Sequence, residues 1–99
     1  MDKYELIFIL RPTIEKVEQK EITKNIEDII KTFGKITREE VSEEKTLAYE
    51  VRGYKTGIFV YIDFDIDLNN TSFYTKEDLE RKIKLDERII KYMMIREAK

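Results

Sequence analysis

The chain has 99 residues, of which 41% are hydrophobic and 40% charged, and its formal net charge is −2. This length and apolar content predict one domain, residues 1–99, and the slightly acidic balance argues against a stand-alone nucleic-acid binder with a basic surface. The absence of cysteine and histidine excludes disulfides, thiol catalysis, histidine acid–base chemistry and the usual zinc ligands. No apolar run is long enough to span a membrane and no leader-like segment opens the chain, so we expect a soluble, intracellular protein.

The first third of the sequence predicts a strand followed by a helix. Residues 4–10 form a short apolar run typical of a buried strand, which ends at Arg11-Pro12 because proline lacks a backbone donor. Apolar residues then recur at helical spacing, which predicts a helix over residues 15–33. Gly34 follows directly, and we expect it to end the helix in the left-handed conformation that glycine adopts without strain.

The middle of the sequence predicts a pair of antiparallel strands. Residues 35–49 are rich in glutamate, which is typical of an edge strand, and residues 47–51 are expected to continue this strand beyond a bend. Residues 52–57 are expected to form the turn into the next strand. Residues 57–67 alternate between an apolar face and an aromatic and acidic face, which predicts a central strand.

The last third predicts a polar loop over residues 68–72, a short helix over residues 75–84 and a final apolar strand over residues 88–96. The order is then strand, helix, strand, strand, helix, strand. With right-handed crossovers, this order predicts an α+β ferredoxin-like βαββαβ sandwich, a four-stranded antiparallel sheet with two helices on one face.

Alternation along the strands assigns side chains to the two faces of this sheet. The first and third strands are the most apolar, so we expect them to be central. The predicted core between sheet and helices is Leu6, Phe8, Ile26, Ile30, Val60, Ile62 and Leu79. The helix-free face is expected to carry Glu5, Ile7, Ile9, Phe59 and Tyr61.

A helix-free face with aliphatic and aromatic side chains leaves three interpretations open. Exposed apolar patches usually mark an interface with a protein or ligand, and aromatic residues at central strands of this topology also stack nucleobases. Alternatively, long charged side chains merely cover the patch. Basic residues in the last third form either a solvated surface or a phosphate-binding patch: Arg81, Lys82, Lys84, Arg88, Lys91 and Arg96.

No pattern in the sequence supports catalysis or a cofactor. Ser42 and Ser72 lie in polar stretches without a histidine base. Asp63, Asp65 and Asp67 alternate along one strand face about 7 Å apart, too far to share one small cation, so a solvated acidic face is the simpler interpretation. We therefore predict no catalytic residue, no metal site and no cofactor.

Several short motifs occur together in a fixed order. The chain has Leu-Arg-Pro at residues 10–12, Phe-Gly-Lys-Ile at 33–36, Leu-Ala-Tyr-Glu-Val at 47–51 and Asp-Glu-Arg-Ile-Ile-Lys-Tyr-Met at 86–93. In this order and spacing, over essentially the whole chain, the sequence resembles bacterial-type ribosomal protein six of the small subunit.

This resemblance implies a non-enzymatic structural protein of the 30S subunit on cytoplasmic ribosomes, with no small-molecule substrate. It implies binding to 16S ribosomal RNA in the central domain together with ribosomal protein eighteen. The residues that it places against RNA phosphates are Lys3, Lys84, Arg88 and Lys91. The expected surface for the protein partner is Glu5, Ile7, Ile9, Tyr49, Phe59 and Tyr61.

Two other classes share the predicted topology. A ferredoxin-like regulatory or oligomerisation module that binds a small ligand commonly uses glycine-rich turns at a dimer interface, which this sequence lacks. A small acyl-phosphate hydrolase requires an arginine loop after the first strand and a catalytic asparagine, and Arg11 alone is weak support for it.

Overall fold

The computed structural model describes residues 2–66 and 76–97, which form four strands and two helices. In chain order these are β1 (Asp2–Leu10), α1 (Lys16–Phe33), β2 (Gly34–Val51), β3 (Tyr54–Ile66), α2 (Lys76–Leu85) and β4 (Ile89–Arg96). The polar loop predicted after β3 lies outside the described residues. Within those residues, neither helix is long and apolar enough to cross a membrane.

The four strands form one antiparallel sheet in the order β2-β3-β1-β4. The prediction that the first and third strands are central is therefore confirmed, as is the edge position of the glutamate-rich strand. β1 and β3 pair without a register shift, with Leu6 opposite Ile62 and Ile7 opposite Tyr61. Because neighbours along a strand point to opposite faces, this register sends the first pair to one face and the second pair to the other.

Both helices pack against the face of the sheet that carries Leu6 and Ile62. The shared core contains all seven predicted core residues and includes Ile22, Ile26 and Ile30 from α1 and Leu79 and Ile83 from α2. Phe33 at the end of α1 meets Phe64 of β3 edge-to-face, with ring centroids 6.1 Å apart. The predicted ferredoxin-like arrangement, with two helices on one face, is confirmed.

Gly34 ends α1 at the predicted position, but the predicted left-handed conformation is wrong. Its φ of −153° and ψ of −174° are those of extended backbone, and its N–H bonds to the carbonyl of Ile30. Gly34 opens β2 opposite Ile66, where a Cβ would lie 2.5 Å from the backbone oxygen of Asp65. Glycine is therefore needed here because two backbones approach closely.

The turn between β2 and β3 is shorter than the sequence suggested. Only Arg52 and Gly53 lie between the strands, and both have positive φ, 49° and 86°. Two consecutive positive φ values define a type I′ turn, whose twist matches that of the flanking strands. The predicted six-residue turn is thus wrong because residues from Tyr54 onward already pair in the sheet.

The predicted bend in the second strand corresponds to an excursion out of the β2–β3 ladder. Pairing stops at Thr46 opposite Thr56 and resumes only at Val51 opposite Tyr54. The intervening residues 47–50, which we call the strap, have no partners in this register. The strap supplies one wall of the site described next.

Candidate protein and RNA interface

The helix-free face of the sheet carries a row of apolar and aromatic side chains. Across β1 and β3, Ile7 lies opposite Tyr61 and Ile9 lies opposite Phe59. Phe59 and Tyr61 stack with their centroids 6.3 Å apart. The face assignment made from alternation is confirmed by this register, because the intervening residues Leu6, Phe8, Val60 and Ile62 all lie in the core.

The strap turns this face into a groove. The groove has a volume of about 240 Å³ and is lined by Ile7, Ile9, Phe59 and Tyr61 together with Leu47, Ala48 and Tyr49 of the strap. Val51 and the three β4 residues Lys91, Tyr92 and Met93 complete the lining. Five of the six residues predicted to receive a protein partner therefore line one groove. The sixth, Glu5, pairs with Asp63 farther along the sheet.

Ile9 and Tyr49 differ sharply in exposure although both line the groove. Ile9 is only 7% exposed, whereas Tyr49 is 62% exposed. The expectation that this face exposes its aliphatic residues is therefore wrong for Ile9. Gly57 explains part of this burial, since a Cβ at that position would collide with Cγ2 of Ile9. Ile9 belongs to the floor of the groove and Tyr49 to its rim.

Two lysines lie at the rim of the groove. Lys91 Nζ donates a hydrogen bond to the hydroxyl of Tyr49, and Lys45 Nζ lies 5.9 Å from the centroid of Phe59. Lys91 sits opposite Ile9 on β4, so its position at this face follows from the register.

The opposite end of the helix-free face is acidic. Glu5 and Asp63 pair across β1 and β3, and Asp65 lies opposite Lys3. Arg38 of β2 offsets part of this charge, since it binds Glu40 at 2.6 Å and lies 3.9 Å from Asp63. The face thus has a partly compensated acidic end and an apolar groove with lysines at its rim.

The four predicted RNA contacts do not form one patch. Lys3 lies at the start of β1, and Lys91 pairs with Ile9 near its end. Six residues of strand separate these positions, or about 20 Å. Lys84 lies near Lys91, in a shallow depression that both line with Arg52.

Arg88 is bound within the protein. Its Nε and Nη2 each donate a hydrogen bond to the Asp86 carboxylate at 2.9 Å, and Nη1 lies 3.8 Å from Glu18 of α1. These hydrogen bonds from Arg88 lower the pKa of Asp86, and the same pairing raises the pKa of Arg88. The Arg88 side chain is 23% exposed, so any phosphate must compete with two carboxylates for it.

Arg52 is the basic residue that sequence reasoning missed. It lies in the β2–β3 turn, where the sequence signal was the glycine that follows it and not its charge. The turn brings it beside Lys84 and Lys91, which come from much later in the chain. Among the described residues, no group of three or more acidic, histidine or cysteine side chains could hold a metal ion.

Comparison with known proteins gives a consistent result. A family model described as "Ribosomal protein S6" matches residues 3–96. Small ribosomal subunit protein bS6 of Rickettsia prowazekii is 35% identical over 100 residues, which covers 97% of this chain and 76% of that protein. The protein of the same name from Moorella thermoacetica is 31% identical over 97 residues, covering 97% of this chain and 94% of that protein.

A solved structure agrees with these relatives. The crystal structure of 30S ribosomal protein S6 from Thermotoga maritima matches with a TM-score of 0.84 at 26% identity, covering 97% of this chain and 87% of that chain. The family match includes all four strands and both helices. The chain therefore belongs to the ribosomal protein S6 family and is a structural, non-enzymatic component of the small ribosomal subunit.

Proposed function

We propose that this chain binds 16S ribosomal RNA in the central domain of the 30S subunit together with ribosomal protein eighteen, and that the groove receives this protein partner. The observation that carries the proposal is the groove itself. It is an apolar cleft with a stacked aromatic pair, on the sheet face that the helices of this chain leave uncovered.

The chemistry of the groove suits a protein partner. Phe59 and Tyr61 are half-buried, so a partner can cover their remaining surface without first unfolding this chain. Aromatic residues at the centre of an interface contribute disproportionately to its binding energy. Ile9, the cross-strand neighbour of Phe59, is already buried, so the aromatic rings supply more of the surface that a partner can cover.

The charge distribution suits a basic partner. Glu5 and Asp63 lie beyond one end of the groove, and such charges speed the encounter with a basic protein more than they tighten the final complex. With a net charge of −2, this chain neutralises few phosphates alone, so a basic partner would supply much of the RNA affinity. Of the predicted RNA contacts Lys3, Lys84, Arg88 and Lys91, the exposed residues Lys3 and Lys84 remain the most accessible to phosphates.

The partner surface is tested by replacing Phe59 and Tyr61 with Ala in one variant. We expect the affinity for ribosomal protein eighteen, measured by calorimetric titration, to fall at least about tenfold, or roughly 1.4 kcal/mol. The variant should retain a cooperative melting transition. Val17→Ala is the matched control, because Val17 is an apolar residue of α1 that is 75% exposed outside the groove. Unaltered binding by the double variant would reject the groove as the partner site.

The RNA contacts are tested by Lys3→Gln and Lys84→Gln, each in complex with the partner. Loss of one phosphate contact should reduce the slope of log affinity against log salt by about 0.7–0.9. Lys24→Gln on α1 controls for the general effect of removing one positive charge. If Lys3 and Lys84 variants keep the slope of the parent protein, neither residue contacts phosphate.

A further inference from the structure

The strap is the longest of three interruptions in the pairing of β2 with β3. Thr46 and Val51 are five residues apart in β2, whereas their partners Thr56 and Tyr54 are only two residues apart in β3. A segment that leaves the ladder is held by fewer backbone pairs, so side-chain contacts contribute more to its position. The side-chain contacts of the strap are therefore important for its position across the helix-free face.

The contact between Tyr49 and Lys91 joins the strap to the far edge of the sheet. Tyr49 belongs to β2, Lys91 belongs to β4, and these are the two outer strands. Three strand spacings, or about 14 Å, separate them. The Tyr49 side chain reaches across part of this distance, and the hydroxyl accepts a hydrogen bond from Lys91 Nζ.

The position of Lys91 Nζ shows that it interacts with the hydroxyl of Tyr49 and not with the face of the ring. Lys91 Nζ is in contact with the hydroxyl oxygen and lies 4.7 Å from the ring centroid. A cation that touches the hydroxyl lies at that end of the ring and not above its face. The interaction is therefore a charge-assisted hydrogen bond, and the attraction of the cation to the aromatic face contributes little.

We propose that Lys91 is a positioning residue of the groove, because its hydrogen bond to the Tyr49 hydroxyl holds the strap across the helix-free face and keeps the groove in its binding shape. This inference rests on the proposed function. A site that is already formed loses less conformational entropy when its partner binds than a site that must first be ordered. Lys91 then acts at the protein interface and not as a phosphate contact. Of the two neighbouring lysines that the resemblance places against RNA, Lys84 is the one that contacts phosphate.

The experiment compares Lys91→Gln, Tyr49→Phe and the double variant, with ribosomal protein eighteen as the titrant. Tyr49→Phe removes the hydroxyl acceptor, and Lys91→Gln removes the charge and shortens the side chain that donates to it, so each should weaken binding by about three- to tenfold. The double variant should be no weaker than either single variant, because both changes remove the same interaction. Lys91→Arg should restore most of the affinity, since arginine keeps the charge and the donor.

A second readout needs no partner. In the free protein, Lys91→Gln and Tyr49→Phe should both accelerate amide hydrogen exchange in residues 47–50 while leaving exchange in β1 unchanged. A third readout is the salt dependence of RNA binding by the protein pair. Lys91→Gln should leave its slope unchanged, whereas the matched variant Lys84→Gln should lower it.

Failure of this inference and failure of the proposed function give different results. If Lys91→Gln lowers the salt slope and leaves partner affinity unaltered, Lys91 is a phosphate contact and the inference is wrong. Parent-like binding and exchange in Tyr49→Phe would also overturn it. In either case the groove stands if the Phe59→Ala/Tyr61→Ala variant loses partner affinity. If that variant also binds like the parent, the proposed partner site itself is rejected.

Discussion

Both faces of the sheet carry apolar side chains on the central strands, but these side chains differ in burial. On the helix-covered face, Leu6, Phe8 and Ile62 are fully buried. On the helix-free face, Ile7, Phe59 and Tyr61 remain half-buried, and Met93 is 48% exposed. The described residues form two helices, which cover one face, and the strap covers part of the other. An apolar strand face therefore indicates burial by something, which is either the chain itself or a partner.

The largest expected effect is on the helix-covered face. Ile62→Ala should lower the free energy of unfolding by about 2–5 kcal/mol, because it removes buried methyl groups and leaves a cavity. Tyr61→Ala, one residue away on the helix-free face, should cost less than half as much. Chemical denaturation of both variants measures the difference. Equal losses would show that side chains on the two faces contribute equally to stability.

A smaller loss of stability is expected from a change at Gly34, where α1 ends and the outer strand β2 begins. Gly34→Ala places a Cβ 2.5 Å from the backbone oxygen of Asp65, and backbone cannot move aside as a flexible side chain can. We expect a loss of about 1–3 kcal/mol, typical of overpacking, measured by denaturant titration. Gly53→Ala, in the turn at φ 86°, is the contrasting variant, since it adds backbone strain without a clash. A fully stable Gly34→Ala protein would contradict the close approach of the two backbones.

The ion pair between Arg88 and Asp86 contributes to the stability of the fold. Asp86→Asn should cost about 1 kcal/mol near neutral pH, because a charge-assisted hydrogen bond is replaced by a weaker neutral one. The pKa of Asp86 is lowered in the folded state by Arg88, so its contribution exists above the unfolded pKa and disappears as pH falls through the folded pKa. The difference between parent and variant should therefore vanish in strong acid. A pH-independent difference would exclude the ion pair as its cause.

The smallest expected effect concerns Glu39, on the helix side of β2. Desolvation of the Glu39 carboxyl, then its hydrogen bond to Glu27 and the charge of Glu27, raise its pKa to about 7, and Lys31 opposes the shift, although the residue as a whole is exposed. A raised folded pKa means that the stabilising contribution is complete below the unfolded pKa near 4.5 and is lost as pH rises through about 7.

We expect the stability of Glu39→Gln relative to the parent to be greater at pH 8 than at pH 5. The reason is that glutamine does not ionise, whereas Glu39 of the parent loses its proton in this range. Thermal unfolding at the two pH values measures this, and Glu43→Gln, an exposed change on the same strand, is the control. A parent protein whose stability rises between pH 5 and 8 relative to Glu39→Gln would show that the pKa is not raised.

The regular elements were predictable because their signals are local. Helical spacing located α1 and α2 within one residue at their described ends, and alternation located β1 and β3. Gly34 shows the limit of local signals. The prediction that it ends α1 was right, but the predicted left-handed conformation was wrong. The close approach of Asp65 involves a residue distant in sequence, and a local motif holds no information about it.

The floor of the site was predictable from alternation, whereas Tyr49 and Lys91 of its rim were named as site residues only through the family resemblance. Alternation placed Ile7, Phe59 and Tyr61 on the helix-free face, because the period of two is a property of any strand. The strap was suggested only as a bend, since three extra residues in a ladder depend on the register of both strands. The neighbourhood of Arg52, Lys84 and Lys91 comes from tertiary packing, which spacing along the chain does not encode.

The two-residue connection between β2 and β3 has a consequence for how the sheet assembles. Closing so short a loop costs little chain entropy, whereas pairing β1 with β4 joins Tyr4 to Arg96 across most of the chain. Synthesis proceeds from the amino terminus, so β1, α1 and the hairpin are available before α2 and β4 exist. Until β4 is synthesised, one edge of β1 has no partner strand, and until α2 is synthesised the core lacks Leu79 and Ile83.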